Sequence, residues 1–218
     1  ILDVDAGANS VQTVLTVTNG TLALSGTSGL TVTGNGSGTV TITGTTTNIN
    51  TALNGLIYNP NANYNGTDTL TVTTNDQGNT GSGGAKTDTD TITITVNAIN
   101  DAPVNTVPAA QTTNEDTAIT FNSTNSNLIS ILDVDAGANS VQTVLTVTNG
   151  ILTLSGTSGL TVTGNGSGTV TITGTTTNIN TALNGLIYNP NANYNGTDTL
   201  TVTTNDQGNT GSGGAKTD

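Results

Sequence analysis

Asp3 and Asp5 stand one residue apart in ILDVDAGANS (1–10), and Asp133 and Asp135 stand the same way in its letter-for-letter copy at 131–140. The chain has only 14 acidic residues in 218, so the pairing is not a by-product of acid-rich composition. If an extended strand carries such a pair, both carboxylates face one side, roughly 6–7 Å apart at the Cα atoms. Like charges so placed disfavour folding unless they are solvated or neutralised. A hard divalent cation neutralises them. Ca²⁺ takes about six to eight oxygen ligands from carboxylates, amide carbonyls and backbone. Asn9 and Asn139 follow four residues after the second aspartate, past Gly7 and Gly137, which let the chain turn back. The linker at 97–103 (NAINDAP) adds Asn97, Asn100 and Asp101. The plain alternative is that acids at strand ends keep a sparse surface soluble. For DVDAGAN taken together with INDAP, metal binding is the stronger reading. Asp88 and Asp90 read as guards at a strand start.

Other chemistry is excluded by what the chain lacks. There is no histidine and no cysteine. That removes Ser-His-Asp and Cys-His nucleophilic sites, ordinary zinc sites, haem and iron–sulfur ligation. There is no arginine, and two lysines face fourteen acids, for a net charge of −12. A phosphate-binding surface cannot be assembled, which argues against nucleic acid as a partner. Anionic membranes are equally disfavoured, and no run of 18 apolar residues is present to insert into a bilayer. Paired carboxylates can also hydrolyse glycosides, but these recur with every repeat and have no supporting aromatics, so a non-enzymatic role is expected.

The elements that must position the carboxylates repeat with a period of 130, since residue 1 matches residue 131. Between 1–88 and 131–218 two positions differ, Thr21 against Ile151 and Ala23 against Thr153. A 130-residue period is too long for most solenoid repeats and is about the size of one domain. The boundary is placed within 96–110, which holds Pro103 and Pro108. The expected domains are 1–100, lacking its N-terminal strand or strands, and 101–218, lacking the closing strand that TDTITITV supplies at 89–96. The chain is therefore read as a fragment of a longer array.

Residues 11–18, 39–43, 69–73 and 91–96 mostly alternate apolar residues with threonine. Period two with β-branched residues predicts strands with one buried and one wet face, punctuated by glycine turns. Short strands at this spacing predict an all-β, antiparallel sandwich. Ile49, Ala52, Leu53 and Leu56 break the pattern with helical spacing. One or two helical turns are expected at about 47–54, capped by Thr47 or Asn48 and ended by Gly55.

With DVDAGAN at 133–139, NDQG at 205–208, NAINDAP at 97–103 and NEDTA at 114–118, the whole chain resembles the cadherin-like, immunoglobulin-fold tandem repeats of giant bacterial surface adhesins, of the RTX-adhesin or VCBS-repeat kind. The resemblance implies Ca²⁺ where consecutive domains join. Carried over residue by residue, it makes Asp133, Asp135, Asn139 and Asp206 the opening face of the second domain, with Asn100 and Asp101 as linker ligands. Asp68 would contribute from the far end of the first domain, and Glu115 would belong to the far end of the second. Asp3, Asp5, Asn9 and Asp76 would form the opening face of the first. The linker is shorter than the family's, and NYNGTD replaces an Arg-Glu segment, so one or two ions per junction are expected rather than three. The implied function is a calcium-rigidified spacer of an extracellular adhesin or surface filament, in cell adhesion and biofilm. Its partners would be neighbouring repeats of the same chain. Two alternatives remain open. One is a subunit of an extracellular polymer, joined to other copies through open strand edges. The other is a glycan- or protein-binding module, with Tyr64 and Tyr194 as the better-placed aromatics.

Overall fold

The computed structural model describes residues 1–79 and 82–218. The chain divides into two compact units, 1–98 and 99–218. Both are all-β, with antiparallel sheets and one short helix each.

In the first unit the elements are β1 (Val11–Thr16), β2 (Gly20–Ala23), β3 (Thr31–Thr33), β4 (Thr39–Gly44), α1 (Thr46–Leu53), β5 (Ile57–Pro60), β6 (Gly66–Asn75) and β7 (Thr87–Val96). One sheet runs β3-β4-β1-β6-β7, and β2 pairs with β5 in a second. The period-two alternation sorts side chains as expected on β1 and β4, but on β7 neither face is buried: Ile92 is 54% exposed and Ile94 and Val96 are half-buried. On β1, Val11, Thr13 and Leu15 are buried, while Gln12, Val14 and Thr16 are half-buried. Leu15 and Ile42 from the large sheet meet Leu22 from the small one and Ile49 from the helix, closing a sandwich core. Thr13 is the polar member of that face, and its hydroxyl is satisfied by Thr74 Oγ1 at 3.0 Å.

The second unit holds β8 (Val104–Thr106), β9 (Ile119–Phe121), β10 (Ser130–Leu132), β11 (Val141–Thr146), β12 (Gly150–Thr153), β13 (Thr161–Thr163), β14 (Thr169–Gly174), α2 (Thr176–Leu183), β15 (Leu186–Pro190) and β16 (Thr201–Asn205). Its sheets run β13-β14-β11-β16, β12-β15-β9 and β10-β8. The β9 strand and the β8–β10 pair come from 104–132. They extend the core with Phe121, Ile129 and Ile131. Among the described residues, no helix is long and apolar enough to cross a membrane.

The helix lies where the apolar spacing placed it, but its cap does not. Thr45, extended at φ −68° and ψ 150°, accepts from the Asn48 amide through its side chain, so the helix begins ahead of Thr47 and Asn48. Asn54 is the C-cap and Gly55 follows at φ +95°. Ile49 and Ala52 face the core.

Candidate functional site

The paired aspartates do not lie on a continuing strand. The chain leaves β10 at Leu132 and turns. Asp133 Oδ1 accepts from the amides of Asp135 and Ala136, both at 3.0 Å. This is the local hydrogen-bonding habit that makes aspartate a turn former. Gly137 at φ +53° continues the turn, and the Asn139 amide closes it onto the Ala136 carbonyl at 2.7 Å. The same turn recurs in the first unit, where Asp3 Oδ1 accepts from Asp5 and Ala6 and the Asn9 amide reaches the Ala6 carbonyl.

Around Asp135 and Asn100 the structure gathers residues far apart in sequence. The Asp101 amide donates to Asp135 Oδ2, and Thr210 Oγ1 donates to the Asp135 carbonyl at 2.9 Å. Asn100 is 1% exposed; its Nδ2 donates to Asp206 Oδ2 and to the Gly214 carbonyl, and its amide donates to the Ser212 carbonyl. Asp206 Oδ1 accepts from the amides of Gly208 and Lys216. Burial raises the Asp206 pKa, but those two amides, the Asn100 side chain and the Lys216 charge outweigh it and hold the carboxyl below its usual range. Asn100, Asp101, Asp133, Asp135 and Asp206 are thus brought into one hydrogen-bonded neighbourhood of the second unit. Asn139 contributes the turn, with its side chain exposed. In the first unit Asp76 is held below its usual range chiefly by the Lys86 and Gly78 amides.

One atom stands out. Asp133 is 8% exposed, and its Oδ2 is buried with no hydrogen-bond partner among the described residues. A buried carboxylate oxygen left without a donor is costly and calls for an explanation such as an unseen ion. The surrounding donor set is made of oxygens and amides, the hard chemistry that suits Ca²⁺ and not a softer metal. Among the described residues, no three carboxylates converge into a preformed metal cage. A cation at Asp133 Oδ2 would therefore need carbonyl and amide oxygens to complete its shell; the linker is tied to the same turn through the Asp101 amide, which donates to Asp135 Oδ2.

Of the remaining residues of the set, Asp68 lies in the first unit and Glu115 in the second. Asp68 is 3% exposed and its carboxylate is already spent. Oδ1 accepts from the amides of Thr18 and Thr69, and Oδ2 from the Asn19 amide and the Tyr58 hydroxyl. It braces the sandwich from within, and Asp198 does the same with Thr148, Asn149, Thr199 and Tyr188. Burial opposes ionisation of Asp68, but those donors outweigh it and depress its pKa. No local signal announces this brace, since the partners lie up to 50 residues away. Glu115 is exposed in the segment leading to β9 and takes no part in the Asp133 neighbourhood. Tyr64, the candidate sugar platform, has its hydroxyl tied to the Thr67 carbonyl at 2.6 Å.

The Tyr58–Asp68 brace predicts an alkaline limit. Burial first, and then the hydrogen bond to Asp68 and its charge, push the Tyr58 hydroxyl up to about 12, and Tyr188 likewise to about 12. A raised folded-state pKa means that the neutral phenol's stabilisation is complete below the unfolded value near 10 and is lost as pH climbs towards 12. Melting temperature is expected to fall steeply across that window. In Tyr58→Phe/Tyr188→Phe the curve should start lower and be flatter there; an equally steep fall in the double variant would contradict the assignment.

Gly211 sets the linker's position. Its φ is +79°, and a Cβ there would stand 2.5 Å from the Asn100 backbone nitrogen. Gly211→Ala is expected to cost about 1–3 kcal/mol through backbone strain and displacement of the 99–101 segment. Gly156→Ala, where a Cβ meets nothing within 4 Å, is the matched control in denaturant unfolding.

No protein-family model, no curated protein and no solved structure matches this chain. The fold defines its class, an all-β protein of two antiparallel sandwich units, and the second unit holds a buried carboxylate oxygen, Asp133 Oδ2, without a hydrogen-bond partner among the described residues.

Proposed function

We propose that this chain is a calcium-stiffened structural spacer, part of a large adhesin or surface filament working outside a bacterial cell. The observation that carries the reading is Asp133 Oδ2, a buried carboxylate oxygen without a donor among the described residues, two residues before Asp135, whose carboxylate receives the linker amide of Asp101. Bound there, Ca²⁺ would supply the positive charge that the site's carboxylates lack. Asp133 would hold it through Oδ2, with Asn100, Asp101 and backbone carbonyls completing the oxygen shell. Asp135 and Asp206 orient the linker, because their oxygens receive the Asp101 amide and the Asn100 side chain. Cation binding would therefore fix the segment that leads into the second unit, which is what a spacer requires of a linker.

Composition supports the same role. A chain without histidine, cysteine or arginine cannot build Ser-His-Asp or Cys-His nucleophilic sites or an arginine phosphate clamp, and near-perfect duplication favours length over diversity. Extracellular calcium modules bind at roughly 10⁻⁴–10⁻³ M. At ten times the Kd, a single site stabilises the folded unit by about 1.4 kcal/mol. Calorimetry in millimolar Ca²⁺ is expected to show the second unit melting higher than in EDTA, with magnesium far less effective. Identical melting in both conditions would contradict the proposal.

A further inference from the structure

The turn that follows β5 reads NANYNG at 61–66, and the turn that follows β15 repeats it at 191–196. Tyr64 and Tyr194 are half-buried, and the three asparagines around each in sequence (Asn61, Asn63 and Asn65; Asn191, Asn193 and Asn195) are exposed. The two turns are equally open, although only the first unit pairs β7 along 66–75 and only the second pairs β9 with β15. Presentation is therefore a property of the turn itself. Each ring is held in place. The Tyr64 hydroxyl donates to the Thr67 carbonyl at 2.6 Å, and the Tyr194 hydroxyl to the Thr197 carbonyl at 2.8 Å. The outer end of the ring lies over the following glycine: a Cβ on Gly66 would stand 3.5 Å from the Tyr64 hydroxyl, and one on Gly196 3.0 Å from that of Tyr194. The asparagine side chains, by contrast, are unspent. Among the described residues none of the six makes a side-chain hydrogen bond to protein. Elsewhere turn asparagines are tied down: Asn35 Oδ1 accepts from the Leu24 amide, Asn48 Nδ2 donates to the Gly29 carbonyl and Asn79 Nδ2 to the Asp76 carbonyl.

We propose that this turn is a saccharide-binding site for a neutral oligosaccharide, present once in each unit. An aromatic ring fixed by its own hydroxyl offers a pre-set apolar platform to the C–H face of a sugar, with little ordering left to do on binding. Each asparagine amide carries donors and an acceptor on one planar group, which suits neighbouring sugar hydroxyls that both give and take hydrogen bonds. Charge selects against other ligands. No charged residue falls within 57–67 or 187–197, and both oxygens of Asp68 are occupied in its brace. The Asp116 carboxylate reaches the second turn through the Asn193 backbone amide at 2.9 Å, which leaves the Asn193 side chain free and adds a negative charge that disfavours acidic sugars. A turn this shallow binds weakly alone, and two copies on one chain raise the avidity for a surface that displays many ligands. No residue of the turn belongs to the calcium site, so the test is run in EDTA and its result is independent of the metal.

The experiment passes the full chain over a printed panel of neutral gluco-, manno- and galacto-oligosaccharides, with sialylated and uronic acid glycans and unglycosylated peptides alongside. Saturable binding to at least one neutral oligosaccharide is expected, and it should persist in high salt because no charge is involved. Tyr64→Ala/Tyr194→Ala is expected to lower the affinity about tenfold. Asn63 and Asn193 have positive φ, +58° and +56°, so Asn63→Gly/Asn193→Gly keeps the backbone and removes only the amide. That variant should melt with the native chain and bind roughly fivefold more weakly, which separates recognition from folding. Absence of binding to every neutral oligosaccharide would overturn the proposal. So would binding confined to the acidic glycans or to the peptides, or sugar binding that survives both pairs of substitutions.

Discussion

Asp133→Asn is expected to reverse its effect on stability according to whether calcium is present. In EDTA the variant removes a negative charge from a position where one oxygen is buried without a donor, and the folded state should be unharmed or slightly more stable. In millimolar Ca²⁺ the native chain gains its binding energy and the variant forfeits it, so the order inverts. The other oxygen matters to the outcome: Oδ1 holds the turn through the Asp135 and Ala136 amides, and the asparagine carbonyl can keep those contacts. Asp133→Ala cannot, and should lose stability in both conditions. Affinity for calcium should fall at least tenfold in either variant, read by calorimetric titration. Asp88→Asn, an exposed acid on β7, should change neither quantity. A purely solubilising role for Asp133 predicts no inversion.

Leu152→Ala is expected to be the most damaging single change to the fold, at about 2–5 kcal/mol in denaturant unfolding. Leu152 is fully buried between the sheets, and its strand partner across β15 is Tyr188, so little can collapse into the space it leaves. The cost weighs heavily in this chain. Its cores are built from valine, isoleucine and leucine, with Phe121 the lone phenylalanine, and only 32% of residues are hydrophobic. Domains of this size are stable by roughly 5–15 kcal/mol in total. Leu160→Ala, at a half-buried site on the edge of the same cluster, should cost markedly less.

Much of the scaffold could be read from local pattern. Threonine alternating with Val, Ile and Leu marked the positions of β1, β4, β6 and β7, because a half-buried sheet leaves a period-two imprint on sequence, although on β7 the apolar face is not buried. The helix was legible from Ile49, Ala52 and Leu53, since one buried face suffices to announce it. The cap falls at Thr45, two or three residues ahead of the Thr47 or Asn48 that the sequence suggests, because Thr45, Thr46 and Thr47 are alike in type and only backbone angle separates them. Strand ends were legible least. Identical ten-residue stretches become one long strand at 66–75 and a short one at 201–205, so the difference resides in what lies alongside and not in the residues themselves. The site divides in the same way. DVDAGAN, Asn100, Asp101 and Asp206 could be picked out by type and spacing. That Asp133 would turn instead of extend rests on backbone geometry within three residues, whereas that Asp68 would bond Thr18, Asn19 and Tyr58 depends on contacts across 10 to 50 residues that no local pattern encodes.

The measurement that bears most directly on the calcium assignment is a crystal structure of the 218-residue chain grown in calcium chloride, with anomalous difference density recorded. A peak is expected within about 2.3–2.6 Å of Asp133 Oδ2, with further oxygens from the 99–101 segment around it. Density empty at Asp133 in saturating calcium, with Oδ2 instead meeting a protein donor or an ordered water, would contradict it.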